Sequence, residues 1–254
     1  MYNIKVMSGH SHYATIHRQK EKEDAKRGQV FSKLSKAISL AVKAGGGPDP
    51  SSNYKLRMAI DQAKMANMPK DNVERAIQRA SKEADNIEEV TYEGYAPFGV
   101  AVIVEVATNN RNRTAQEIKN LFDRGGGSLG GPGSVAFNFD SKGLIVTKVG
   151  EDKDTQMLEM IDVGVEEINE VDGELEAYTN PSETAEVKEK LQEKGFEIVS
   201  SSLVKKAKTM INITEKGKAE KLIKFLEKLD ELDDVQNVYA NFDVSDEALV
   251  TLEN

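Results

Sequence analysis

Residues 143–203, GLIVTKVGEDKDTQMLEMIDVGVEEINEVDGELEAYTNPSETAEVKEKLQEKGFEIVSSSL, decide the fold. Leu144 to Val149 reads as a strand, Lys153 to Asp162 as a helix, Val165 to Asn169 and Leu175 to Thr179 as two strands. Ser182 to Lys194 then reads as a second helix and Phe196 to Leu203 as a closing strand. Asp172-Gly173 supplies the hairpin turn, Asn180-Pro181 opens the second helix and Gly195 ends it. This order is the ferredoxin-like split βαβ pattern, assigned to residues 142–205.

On the C-terminal side, a strand near Thr209 to Ile213, a helix from Glu215 to about Leu229 capped by Thr214, and a strand from Val235 to Phe242 are expected. One strand-helix-strand piece cannot bury both its faces alone. Upstream, Val90 to Tyr95 and Val100 to Val106 read as strands joined by a turn at Ala96-Pro97-Phe98-Gly99. Thr114-Ala115-Gln116-Glu117 has capping-box spacing and leads a helix ending near Gly125, and Val135 to Phe139 reads as a returning strand. The C-terminal piece should therefore pack onto the domain begun at residue 85. Residues 85–141 and 206–254 make one discontinuous α/β domain, with the ferredoxin-like segment inserted.

Before residue 85 the period changes. Val30, Phe31, Leu34, Ile38, Ala41 and Val42 recur at helical steps between Glu21 and Ala44. Gly45 to Pro50 cannot continue that helix, and Ser51, Ser52 or Asn53 can cap the next, which runs to about Asn67. A third helix follows Pro69, with Val73, Ile77 and Ala80 inward. The fold class is thus α+β: a three-helix domain over 21–84, behind a basic flexible arm over 1–20, followed by two α/β domains. The short step between helices two and three is what any antiparallel helix pair needs and does not by itself indicate a helix-turn-helix.

The chain has 254 residues and 39% hydrophobic content, enough for two or three domains of roughly 100 residues each. No run approaches the ~20 apolar residues of a membrane helix, and the N-terminus lacks the apolar core of a signal peptide, so a cytoplasmic protein without a membrane partner is expected. The absence of cysteine excludes disulfides, thiolate metal sites and cysteine nucleophiles. Net charge is -9, but it is unevenly spread: of 34 Lys and Arg and 43 Asp and Glu, residues 1–80 hold 15 and 7, leaving 19 and 36 to the remainder. One end is suited to phosphates and the other resists collapse onto them.

All three histidines lie in the arm, at His10, His12 and His17, beside Tyr13, Arg18, Lys20 and Lys22 and ahead of Lys26 and Arg27. Few of these residues can be buried, yet they offer donors for phosphate oxygens and rings that stack on bases. A three-imidazole metal site is the competing reading, but no carboxylates or cysteines complete it locally. Lys33 on the first helix extends the basic set. Asn109-Asn110-Arg111-Asn112-Arg113 sits at a strand-to-helix junction, where Arg111 and Arg113 can meet phosphate, or where a structural cap can sit. The run Gly125 to Ser134 is no Walker loop, because it contains no lysine and no helix follows it. No nucleophile is flanked by a base, so neither an enzyme, a cofactor nor a small-molecule substrate is expected.

Met7-Ser8-Gly9-His10-Ser11, Asp24-Ala25-Lys26-Arg27-Gly28, Ala66 to Ile77, Tyr92-Glu93-Gly94-Tyr95, Asn109 to Thr114 and Gly133-Ser134-Val135-Ala136-Phe137 together resemble the YebC/PmpR family. The resemblance runs in order from Met7 past residue 140, and the acidic second half fits by strand-helix order. It implies a three-domain α+β regulator of gene expression that binds DNA, and a relation to a mitochondrial translational activator. It also implies a ribosome-associated role in helping translation past difficult sequences such as proline runs, while binding to ribosomal RNA is what the basic arm and the uneven charge suggest on physical grounds. The family usually begins at the methionine matching Met7, and its Gly-His-Ser-Lys-Trp is here Gly9-His10-Ser11-His12-Tyr13. A donor and a ring are kept, but fixed charge is lost at neutral pH.

Overall fold

The computed structural model describes residues 24–82, 86–171 and 173–245, with side chains from Arg27 onward. Residues 139–206 form one compact unit, and the chain on either side of them forms the other.

Three helices begin the larger unit: α1 (Asp24–Ala44), α2 (Tyr54–Met65) and α3 (Lys70–Ser81). Ile38, Ala41 and Val42 of α1 meet Leu56, Ala59 and Ala63 of α2 and Val73, Ala76 and Ala80 of α3 in one apolar cluster. The buried Asn53 fixes the first turn. Its Oδ1 accepts from Leu56 N at 3.0 Å, capping α2, while its Nδ2 donates to Ala41 O and Gly47 O, each at 2.8 Å. A Cβ on Gly45 would collide with that carboxamide, which is why the chain needs glycine there. α2 ends on Asn67 at φ 50°, with Met68 N donating to Ala63 O at 2.9 Å in a Schellman closure.

β1 (Glu88–Tyr95) and β2 (Ala101–Thr108) form an antiparallel hairpin in which Val90 faces Val106 and Tyr92 faces Val104. α4 (Arg111–Gly125) follows, and β3 (Ser128–Leu129) pairs with β1. The cap of α4 is Asn110, whose side chain accepts from Arg113 N at 3.1 Å; Thr114 lies inside the first turn and is buried. Val135 to Phe139 is also not the expected strand. Ala136–Asn138 makes a short 3-10 turn and the strand starts only at Phe139. The buried Glu93 carboxylate accepts from the backbone N–H groups of Gly133 (2.7 Å), Val135 (2.9 Å) and Ala136 (2.8 Å), curling the segment around itself. Burial alone would raise the Glu93 pKa, but these three donors outweigh it and hold it low.

The smaller unit contains β4 (Phe139–Lys148), α5 (Lys153–Asp162), β5 (Glu167–Val171), β6 (Glu174–Thr179), α6 (Thr184–Glu193) and β7 (Ile198–Ala207). Its strand order, β5-β6-β4-β7, is the ferredoxin-like one. Ile145, Leu175 and Ala177 of the sheet pack on Met160 of α5 and on Val187 and Leu191 of α6. α6 starts two residues later than its sequence suggests, because Asn180 Oδ1 first accepts from Ser182 N at 3.0 Å.

β8 (Ile211–Ile213), α7 (Lys216–Asp230), β9 (Val235–Ala240) and β10 (Phe242–Val244) complete the larger unit. β9 pairs antiparallel with β2, giving the order β3-β1-β2-β9, and β10 pairs parallel with β8. The expected Thr214 cap is absent: Glu215 holds the N-cap position and makes no side-chain cap bond. α4 and α7 cover one sheet face, where Phe122 and Phe225 meet edge to face at 5.1 Å, worth about 0.5–1.5 kcal/mol beyond their burial. Period-two alternation turns Ala101, Ile103 and Ala107 to the opposite face, and α1 packs against β2 and β9.

The turn between α7 and β9 anchors α1. Asp234 Oδ1 accepts from Lys36 Nζ at 2.7 Å; its Oδ2 accepts from Thr114 Oγ1 (2.6 Å), Arg113 Nη2 (2.7 Å) and Thr108 Oγ1 (3.0 Å). Lys36 also donates to Asp233 O at 2.7 Å, and Lys33 Nζ reaches the carbonyl and carboxylate of Asp230. Burial would raise the Asp234 pKa, yet the hydrogen bonds from Lys36, Thr114 and Arg113 hold it far below the carboxylate range. Its contribution to stability is therefore complete above the unfolded value of ~3.9 and is lost as pH falls through the lower folded value. Asp234→Asn should cost on the order of 2–4 kcal/mol at pH 7. In urea titrations the gap between the two proteins should narrow below pH ~4; a gap independent of pH would deny the carboxylate this part.

Candidate nucleic-acid interface

The helix pair α1 and α3 bury one stripe each and leave another open. On α1, Gly28, Ser32, Ser35 and Ser39 recur at steps of four, three and four; on α3 and its C-cap, Arg75, Arg79 and Lys82 recur at four and three. Both sets line one groove of about 640 Å³, with Phe31 and Ile87 also on its surface. The small residues of α1 keep one wall low, and the basic residues of α3 make the other wall cationic. Arg75 is held along its own helix by Asp71 O (3.1 Å) and Asn72 Oδ1. Arg79 and Lys82 are exposed and make no ion pair among the described residues. The Arg27 guanidinium lies 5.5 Å from the centroid of the Phe31 ring, which places this sequence-derived candidate beside the groove.

One candidate, Lys33, is corrected, and another, Arg113, is partly committed elsewhere. Lys33 is only 5% exposed and its ammonium is taken by Asp230, so it ties α1 to the end of α7 and is not a surface contact. Arg113 gives an Nη2 hydrogen to the buried Asp234 carboxylate and serves the same junction, although nearly half of its side chain remains exposed. Arg111 is exposed at the start of α4, where its carbonyl accepts from Tyr92 Oη at 3.3 Å. His10, His12, Tyr13, His17, Arg18, Lys20 and Lys22 lie outside the described residues, as does the side chain of Lys26.

Sequence reading missed Arg75, Arg79 and Lys82. The signal was present as a basic stripe at helical spacing, opposite Val73, Ile77 and Ala80. Chemically the groove can neutralise phosphates along the α3 wall and offer the hydroxyls of Ser32 and Ser35 from α1, a combination that positions a sugar-phosphate backbone. The depressed carboxyls of Glu93 and Asp234 are buried and occupied by structural donors, so neither is poised for proton transfer. Among the described residues no three His, Asp or Glu side chains could hold a metal ion, and no helix is long and apolar enough to cross a membrane.

The TACO1/YebC protein N-terminal domain family matches residues 11–83, and the TACO1/YebC second and third domain family matches residues 87–242. A protein of Trichlorobacter lovleyi named "Probable transcriptional regulatory protein" is 46% identical over 241 residues, covering 94% of this chain and 97% of its own length. One of the same name from Dictyoglomus turgidum is 45% identical over 250 residues, 97% of this chain and 100% of its own. The crystal structure of a conserved hypothetical protein from Aquifex aeolicus superposes with a TM-score of 0.82 at 43% identity, covering 90% of this chain and 96% of the other.

Groove and junction cations should separate in a stability assay. Arg79→Ala with Lys82→Ala should leave the unfolding free energy within about 0.5 kcal/mol of wild type. Lys33→Ala should lower it by about 1–3 kcal/mol, since the Asp230 oxygens lose their donor. Equal effects in denaturant melts would refute this division.

Proposed function

The chain belongs to the TACO1/YebC family, and on that premise we propose that it is a non-enzymatic, nucleic-acid-binding regulator of gene expression, acting on transcription as the names of its relatives say of them. The observation that carries the proposal is the groove between α1 and α3: a cationic wall of Arg75, Arg79 and Lys82 facing a wall of serines. The N-terminal arm, with His10, His12, Tyr13, His17, Arg18 and Lys20, and Lys22 just after it, precedes α1 in sequence and adds donors and rings to the same basic half. Arg27 and Arg111 extend the contact. Neither cofactor nor metal is needed, because the work is binding.

A second reading, ribosomal RNA as the target and translation as the process, draws on a specific feature of the groove. Its cations and serines suit phosphates, with the amides of Asn72 and Gln78 also on its surface, and structured RNA is recognised largely through shape and backbone. The acidic remainder, with 36 Asp and Glu after residue 80, would then keep the rest of the molecule off the RNA.

Competition binding of the full chain to ribosomes, naked ribosomal RNA and genomic DNA fragments at near-physiological salt separates the two. Retention on DNA with a preferred fragment supports transcription; retention on ribosomes with loss from DNA supports translation; binding to none sinks the proposal. Arg79→Ala with Lys82→Ala should lower the salt slope by about 0.7–0.9 per residue. Removal of Met1 to Lys20 should weaken binding and leave the fold unchanged in its melting profile. Unaltered affinity in both variants would remove groove and arm from the interface.

A further inference from the structure

The hairpin between β1 and β2 turns through two successive residues of positive φ, Phe98 at 68° and Gly99 at 78°, closed by Ala96 N donating to Val100 O at 2.7 Å. Glycine adopts this region freely; phenylalanine does so only under strain, and such positions gather at ligand clamps. The result is an unusual placement. Ala96 and Pro97 are buried, whereas Phe98 is 40% exposed at the tip. Two ammonium groups of α7, those of Lys218 and Lys221, each lie 5.8 Å from the centre of its ring.

These lysines begin a stripe. Lys218, Lys221, Lys224 and Lys228 are all exposed and follow one another at three- and four-residue steps, about 4.5–6 Å of helix rise apart, with Glu220 and Glu227 bordering the stripe one turn either side of Lys224. Lys218 also pairs with Glu215, but Lys221, Lys224 and Lys228 pair with no carboxylate among the described residues. A protruding aromatic face beside a row of unpaired cations matches a polymer that carries a flat ring and a negative charge at every repeat.

We propose that Phe98 and the lysine stripe of α7 form a second nucleic-acid contact, specific for a single-stranded segment whose unpaired base stacks on Phe98 while successive phosphates follow Lys218 to Lys228. Single strands fit because a base within a duplex has no free face to offer. An acidic peptide would satisfy the lysines but leave Phe98 without a stacking partner. This contact rests on the nucleic-acid reading above and adds to it a site that neither groove nor arm supplies.

The test measures binding of the full chain to a fluorescent single strand of about 12 nucleotides and to its duplex. Phe98→Asn tolerates the left-handed backbone and removes the ring, whereas Phe98→Trp keeps a ring. Phe98→Asn should weaken the single strand about 5- to 100-fold, with little change for the duplex and with the salt slope kept, and Phe98→Trp should retain affinity. Lys221→Ala with Lys224→Ala should reduce the single-strand slope by about 1.4. Single-strand affinity of Phe98→Asn within about two-fold of wild type, or an unchanged slope in the lysine variant, overturns the contact while leaving the groove proposal intact if Arg79→Ala and Lys82→Ala still weaken binding. Tighter binding to a polyglutamate peptide or to phosphatidylserine vesicles than to the single strand would give the patch to another occupant. No nucleic-acid binding by the wild type would remove both.

Discussion

The Asp234 carboxylate joins four elements of the larger unit. It is 4% exposed, yet it stays ionised because one oxygen meets Lys36 and the other meets Thr108, Thr114 and Arg113. Its donors come from α1, the end of β2 and the first turn of α4, and its own backbone leads into β9. Four elements are thereby fixed by one group. An ionised carboxylate in so dry a place is tolerable only when every donor is present, so the cluster is specific to one arrangement of α1 on the sheet. The groove depends on it as well, since Lys36 lies on the groove face of α1 and orients that helix.

Most of the fold was legible in the sequence, and the failures share a cause. The ferredoxin-like unit is read from alternation, turn residues and helix breakers that are all local, and its strand order follows from the order of its elements. Thr114 and Val135 were misread because distant partners decide them. Thr114 has capping-box spacing, but Asp234, far away in sequence, takes its hydroxyl into the interior. Val135 has strand character, but Glu93 takes its N–H. Lys33 was misread by treating lysine as a solvent residue. It sits three positions after Val30, on the stripe that α1 buries, and that neighbourhood was the available warning.

The candidate site was less legible than the fold for a related reason. A count of charges does not say which are already neutralised. Of the basic residues that made the N-terminal half look suited to phosphate, Lys33 and Lys36 are consumed by aspartates near the C-terminal end of α7, and Arg113 is partly so. Arg75, Arg79 and Lys82 face the groove instead, a stripe that apolar periodicity alone does not single out. The end of the glycine-rich run shows the same logic for anions: the N–H groups of Gly133, Val135 and Ala136 form an anion-binding cradle, and the protein's own Glu93 fills it.

The insertion of residues 139–206 has a consequence for synthesis. The chain leaves and re-enters the larger unit at adjacent points, where Lys208 N donates to Asn138 O at 2.8 Å. As the polypeptide emerges from its N-terminus, the inserted unit can close as soon as β7 is made, whereas β2 must wait for β9, and Lys36 for Asp234, until nearly the whole chain exists. Through that interval β2, AVIVEVAT, presents an unpaired apolar edge of the kind that recruits other strands. A nascent chain of this protein is thus exposed to aggregation for the time it takes to translate the insertion.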